Sequence, residues 1–180
     1  MPRPPDLEKR EKIVAAAIAV FVGNGYQGTT ILAIEARAGL ASSHIYTYFK
    51  DKEHLLVEAV RRMESEHIAL STELAEKSAE LDDKQFIDKF YEAQETIRDR
   101  VRFIASVVFS PSLAHLFGDY DFDYSLVFLP FLKDLPEELA ANTARALMDI
   151  SIGYFLIGNM DGAKAASLHV LKGARALLRQ

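Results

Sequence analysis

The sequence predicts an all-α protein of about nine helices, and three observations lead there. No segment alternates valine or threonine with polar residues, the period-2 pattern that a half-buried strand requires. Neither glycine nor proline occurs between Gly39 and Pro111, and that span is rich in Ala, Glu, Leu, Lys and Arg, which lose little freedom in a helix. Elsewhere the breakers recur at spacings that suit shorter helices: Gly23, Gly25, Gly28 and Gly39, then Pro111, Gly118, Pro130, Pro136, Gly158 and Gly162.

The elements follow in order. Asp6, after Pro4-Pro5, is a good N-cap for a first helix that buries Ile13, Val14, Ala17, Ile18 and Phe21 at helical spacing and ends at Gly23-Asn24-Gly25. A short second helix runs from the Thr29-Thr30 cap to Ala38, where Gly39 stops it in a tight turn, and a third covers about Ala41 to Phe49. Two short helices joined at a glycine, after a longer one, form the arrangement of a helix-turn-helix unit. Asp51 caps a long fourth helix from Lys52, and Asp82-Asp83-Lys84-Gln85 is a capping box for another running to about Val108. Ser110-Pro111 opens a short helix, Pro136 followed by Glu137 and Glu138 opens one that runs to Gly158, and a last helix fills Gly162 to Leu178.

Composition narrows the function classes. With 180 residues, 49% hydrophobic and 26% charged, the chain is globular in character and long enough for one large domain or two small ones. No apolar stretch reaches the roughly 18 to 20 residues of a membrane span. Met1 to Arg10 carries prolines and charges where a signal peptide has an apolar run, so a cytoplasmic location is expected. The absence of cysteine agrees, and it removes disulfides, thiol catalysis, iron–sulfur clusters and cysteine-ligated zinc; no cofactor and no metal are expected. The net charge of -5 is unevenly spread: residues 1–52 hold seven Lys/Arg and five acids, which leaves -7 for the remainder. A mildly basic head on an acidic body suits a protein that meets a polyanion with its head alone.

Between Glu11 and Leu56 the residues form a denser pattern: Val20-Phe21, Gly25-Tyr26, Thr29-Thr30-Ile31, Ile34, Ala38-Gly39-Leu40, Ile45-Tyr46, Tyr48-Phe49, Lys52-Glu53 and Leu55-Leu56. This run resembles the DNA-binding domain of TetR-family transcriptional regulators. The resemblance implies a helix-turn-helix DNA-binding domain over 1–52 and a helical ligand-binding and dimerisation domain over 53–180. It implies that residues matching Thr30, Tyr46 and Lys52 contact the DNA backbone, and that Ser42, Ser43, His44 and Thr47 face the major groove. Thr29, a hydroxyl at a helix N-terminus, joins them as a candidate. Lys52 sits in the first turn of a helix, where a cation opposes the dipole and a phosphate would relieve the conflict. The pattern departs at Ala41, where a capping serine or threonine is usual, at Glu35, where a small alanine is usual, and at Leu32-Ala33, which lack a long basic residue. With no Arg, Asn or Gln on the third helix for bidentate base contacts, readout through water and DNA shape is expected.

Eight of the eighteen aromatics fall between residues 103 and 131, a region broken by Pro111, Gly118 and Pro130. Irregular backbone with aromatics suits a pocket, with Phe103, Phe109, Phe117, Tyr120, Tyr124 and Phe128 as lining and Gln94, Arg98, His115, Asn142 and Asp149 as polar groups. The helix before Gly158 and the last helix carry apolar residues in excess of one intramolecular contact. Leu147, Ile150, Tyr154, Ile157, Val170, Leu171, Ala174, Leu177 and Leu178 are therefore expected in the interface of a homodimer. The function expected is a transcriptional repressor released from a palindromic double-stranded DNA operator by a small hydrophobic or amphipathic effector, with no membrane partner and no catalytic residues. Two other readings stand beside it: a regulator that needs no ligand, and a di-metal helical enzyme suggested by Glu64-x-x-His67, of which only one copy occurs where two are needed.

Overall fold

Among the described residues, seven α-helices and two 3-10 turns follow one another: α1 Leu7–Gly28, α2 Ile31–Ala38, α3 Ser42–Tyr48, α4 Lys52–Lys77, α5 Asp83–Val108, the 3-10 turns Ala114–Phe117 and Tyr124–Phe128, α6 Glu137–Ile157 and α7 Met160–Leu177. The structure is a computed structural model that describes residues 6–40, 42–78, 80–118 and 124–179, without the side chains at 42, 43, 124 and 126. No strand occurs among the described residues. The expected short helix after Pro111 is a 3-10 turn.

Local chemistry starts most helices where the sequence placed them. The Asp6 carboxylate accepts from the Lys9 N–H, and the Thr30 hydroxyl accepts from the Ala33 N–H. Asp82 and Gln85 close a reciprocal capping box, with Gln85 N–H donating at 2.8 Å and Asp82 N–H at 3.1 Å. Two boundaries differ from expectation. α1 continues to Gly28 past a kink at Gly25, whose φ of 69° only glycine adopts cheaply. α7 begins at Met160, two residues before Gly162, because the Asn159 side chain accepts from the Gly162 N–H and caps the helix there.

The chain divides into two compact units, one of Met1–Ser65 and Asp99–Tyr120, the other of Glu66–Arg98 and Asp121–Gln180. In the first unit α1 packs on α2 and α2 on α3. Its core is Ile13, Ala17, Phe21, Ile34, Ile45, Phe49, Leu55 and Leu56, with Phe103 and Val107 from the end of α5. Fully burying side chains of this size stabilises by roughly 1.5–3 kcal/mol each, which is what holds two short helices that would not form alone. Ion pairs add register at the edge. Arg10 pairs with Glu58 and lies 5.3 Å from the Phe49 ring centroid, and Arg62 pairs with Glu11, joining α1 to α4.

In the second unit α6 packs on α7 and on the 3-10 turn Tyr124–Phe128. Phe86 stacks on Phe131 at 3.7 Å between centroids, Phe90 meets Phe128 at 4.8 Å, and Tyr91 meets Tyr154 edge-on at 5.3 Å. Buried polar groups pair within this unit: Tyr91 with Ser167 at 3.0 Å, and Gln94 Nε2 donating to Ser71 Oγ at 3.1 Å. The Tyr154 hydroxyl donates to Glu95, and burial first, then that carboxylate, pushes it up to about 12.

Candidate nucleic-acid interface

The turn from α1 to α3 places most of the expected contacts, and it does so by local bonding. Thr30 is exposed at the N-terminus of α2, with its hydroxyl oriented by the Ala33 N–H at 3.1 Å. Gly39 ends α2 in the left-handed region, with φ 62° and ψ 37°, and the chain reverses into α3. There Ile45 and Phe49 point into the core, while His44, Tyr46 and Thr47 on the other side of the helix are exposed. Tyr46 is 58% exposed, unusual for a large ring with no partner to cover it. Ser42 and Ser43 begin α3, but their side chains lie outside the described residues, as does Ala41.

Two expected residues have internal roles. Thr29 is 1% exposed, and its hydroxyl donates to the Gly25 carbonyl at 2.7 Å, so it seals the kink of α1 and offers nothing to a surface partner. Lys52 Nζ donates to the carbonyls of Tyr26 and Thr29, both at 3.1 Å, and stands 4.1 Å from the Tyr26 ring centroid. The negative end of α1 therefore compensates the cation at the start of α4. An ammonium has three donors, and two are engaged here.

Glu35 is buried where a small residue is usual, yet α2 keeps its expected inward face of Ile34 and Ala38. Leu32, which sequence reasoning noted only for its lack of charge, is 72% exposed on α2 and adds an apolar group to this surface. A burial pattern is needed to find it, since Leu in a short helix reads as core.

The expected ligand residues are divided between the two units. Phe103 and Phe117 are buried in the first unit, Gln94 and Phe128 in the second. Phe109, His115, Asn142 and Asp149 are exposed, and Arg98 is half-buried beside Glu95. Tyr120 and the Tyr124 side chain lie outside the described residues. Asn142 and Asp149 project from α6 away from its buried row of Ala144, Leu147 and Ser151, which is why helical spacing separates them from that core. Gln94 Oε1, wholly buried, has no hydrogen-bond partner among the described residues.

The expected dimer residues also divide. Leu147, Tyr154, Leu171 and Ala174 are buried within the second unit, Ile150 and Val170 are half-buried, and Ile157, Leu177 and Leu178 are exposed. An apolar face read as one stripe is thus split between the unit's own core and its surface. Leu156, also exposed, was missed. Glu64 and His67 are both buried, and among the described residues no group of three His, Asp or Glu surrounds a metal-sized site. No helix among them is long and apolar enough to cross a membrane.

Residues 13–59 match the family described as bacterial regulatory proteins, tetR family. The transcriptional repressor KstR of Mycolicibacterium smegmatis is 38% identical over 68 residues, 38% of this chain and 33% of that protein. A fatty acid metabolism regulator protein of Bacillus subtilis is 42% identical over 53 residues, 28% of this chain and 27% of that protein. The chain thus spans at most about a third of the length of these curated relatives. Among solved structures, a chain from Mesorhizobium loti MAFF303099 superimposes with a TM-score of 0.71 at 18% identity, covering 95% of this chain and 96% of that one. A transcriptional regulator of the TerR/AcrR family from Aquifex aeolicus VF5 gives 0.64 at 22% identity, covering 91% and 98%. The structural likenesses show a shared fold, and the sequence likenesses show that residues 13–59 form a domain of the kind described as bacterial regulatory proteins, tetR family.

Proposed function

We propose that this protein is a DNA-binding transcriptional regulator, a repressor that leaves a palindromic operator when a small hydrophobic or amphipathic molecule binds within residues 53–180, with residues 1–52 as the DNA-binding part. The observation that supports it is the outward row of His44, Tyr46 and Thr47 on a helix whose other side is anchored by Ile45 and Phe49. Hydroxyl and imidazole groups bond phosphates and base edges, the exposed Thr30 cap extends the row, and Leu32 suits a thymine methyl. Ser42 and Ser43 continue the same helix toward its N-terminus.

Selection of bound duplexes from a random pool tests this directly. The expected product is a near-palindrome with half-sites about one helical turn apart. Its affinity should fall linearly with salt on logarithmic axes, by roughly 0.9 per phosphate neutralised. Enrichment of no duplex, or binding indifferent to salt, would end the proposal. Repeating the selected binding with apolar candidate effectors tests release, since an effector must favour the DNA-incompetent state to act.

A palindrome calls for a two-fold dimer, and the exposed Leu156, Ile157, Leu177 and Leu178 at the ends of α6 and α7 supply an apolar surface for it. Because Ile157 is 81% exposed, Ile157→Glu should leave the unfolding midpoint of the protomer nearly unchanged. Sedimentation should then report monomers with weakened operator binding. A variant that still sediments as a dimer would remove this face from the interface.

A further inference from the structure

Three aromatic rings and one ammonium form a continuous stack inside the first unit. Phe103, near the end of α5, lies near-parallel on Phe21 of α1 at 5.8 Å and 22°. Phe21 in turn stacks on Tyr26 at 6.2 Å and 15°, and Lys52 Nζ stands 4.1 Å from the centre of the Tyr26 ring. Both separations lie in the range over which aromatic pairs attract, and the last contact has cation–π geometry. Phe21 is fully buried and Phe103 nearly so, so neither ring can turn without disturbing its neighbour.

The far end of the stack is mechanically connected to the candidate interface. Lys52 holds the carbonyls of Tyr26 and Thr29, and the residue after Thr29 is the Thr30 cap of α2. A shift of the Tyr26 ring therefore moves the ammonium, the carbonyls it holds and the start of α2 together. Beside the stack, Asn24, Gly25 and Tyr26 face Ser106, Val107 and Leu113 across a cleft of about 250 Å³, which leaves residues 103–113 room to move against the end of α1.

We propose that Phe103, Phe21 and Tyr26 are positioning residues for DNA binding: the stack sets where the Lys52 ammonium and the Thr30 cap stand, and displacement of residues 103–113 weakens DNA contact through it. Phe103, expected from sequence to line a ligand pocket, acts in this account as the point where the end of α5 presses on the head. The inference rests on the DNA-binding reading given above.

The test is a double-mutant cycle on the full chain, read as affinity of the folded fraction for the duplex that the wild-type protein selects. F103L and Y26L are each expected to lower affinity about fivefold, within the span of couplings that distant residues exert. Y26F, which keeps the ring, should stay within about twofold of wild type. In a K52M background F103L should cost less than about twofold, because the element it acts through is gone. The salt slope of F103L should also fall toward that of K52M, a change that a purely structural role would not produce. Equal factors for F103L in both backgrounds, or an unchanged affinity, would overturn the proposal. If F103L does not fold, the Y26L and Y26F pair in the two backgrounds decides by the same criterion. A wild-type chain that selects no duplex would instead defeat the DNA-binding reading, and this inference with it.

Discussion

Leu171→Glu is expected to unfold the second unit, while Ile157→Glu, one helix earlier and as apolar in sequence, is expected to leave it folded. Leu171 is 0% exposed on α7, among Ala163, Ser167 and Ala174 on the same inward face. A carboxylate there loses its hydration without a partner, and the lost leucine leaves unfilled space, so the sum is at least about 4 kcal/mol. That is a large part of the 5–15 kcal/mol typical of a domain. Circular dichroism in urea measures it, and a Leu171→Glu midpoint within experimental scatter of wild type would contradict the burial. The contrast follows from burial alone: Leu171 belongs to the core of the second unit, and Ile157 to its surface.

Acidification should destabilise the second unit through His67. Burial lowers its pKa from 6.5 to about 4, against a smaller opposing effect of Gln94, and the ring meets Phe155 edge-on at 6.4 Å. The folded state thus binds this proton less readily than the unfolded chain does. The stabilisation is complete above pH 6.5 and is lost as pH falls from there toward 4. At about 1.4 kcal/mol per pH unit, the whole loss is of order 3 kcal/mol. Comparing urea unfolding of wild type and His67→Leu between pH 7 and 4 isolates the contribution, because every other titratable group is common to both. Parallel pH profiles for the two proteins would show that His67 is not held neutral by the fold.

Helix starts were legible in the sequence because they are decided within four residues. Asp6, Thr30 and the Asp82–Gln85 box each satisfy N–H groups of the first turn next to them, whatever packs elsewhere. The helix-turn-helix was legible for the same reason: its core spacing, its glycine turn and its outward residues all fall within one short stretch. Even the unusual Glu35 left the register of α2 intact, since Ile34 and Ala38 bury on either side of it.

What only the tertiary structure decided depended on partners distant along the chain. Lys52 reads from sequence as a cation in the first turn of α4, and only the fold shows that carbonyls 26 and 23 residues earlier orient it. Thr29 reads as a cap, but the kink at Gly25 brings its hydroxyl under α1 and buries it. Helical period places Leu171 and Leu177 in one apolar stripe, and only the packing of α6 on α7 determines which of them faces inward. The aromatics from 103 to 131 form one cluster in sequence and belong to two units, because the chain passes from the first unit to the second after residue 120. Capping bonds form along a single stretch of backbone, whereas burial depends on which surfaces meet, and the apolar pattern of one helix is compatible with several such meetings.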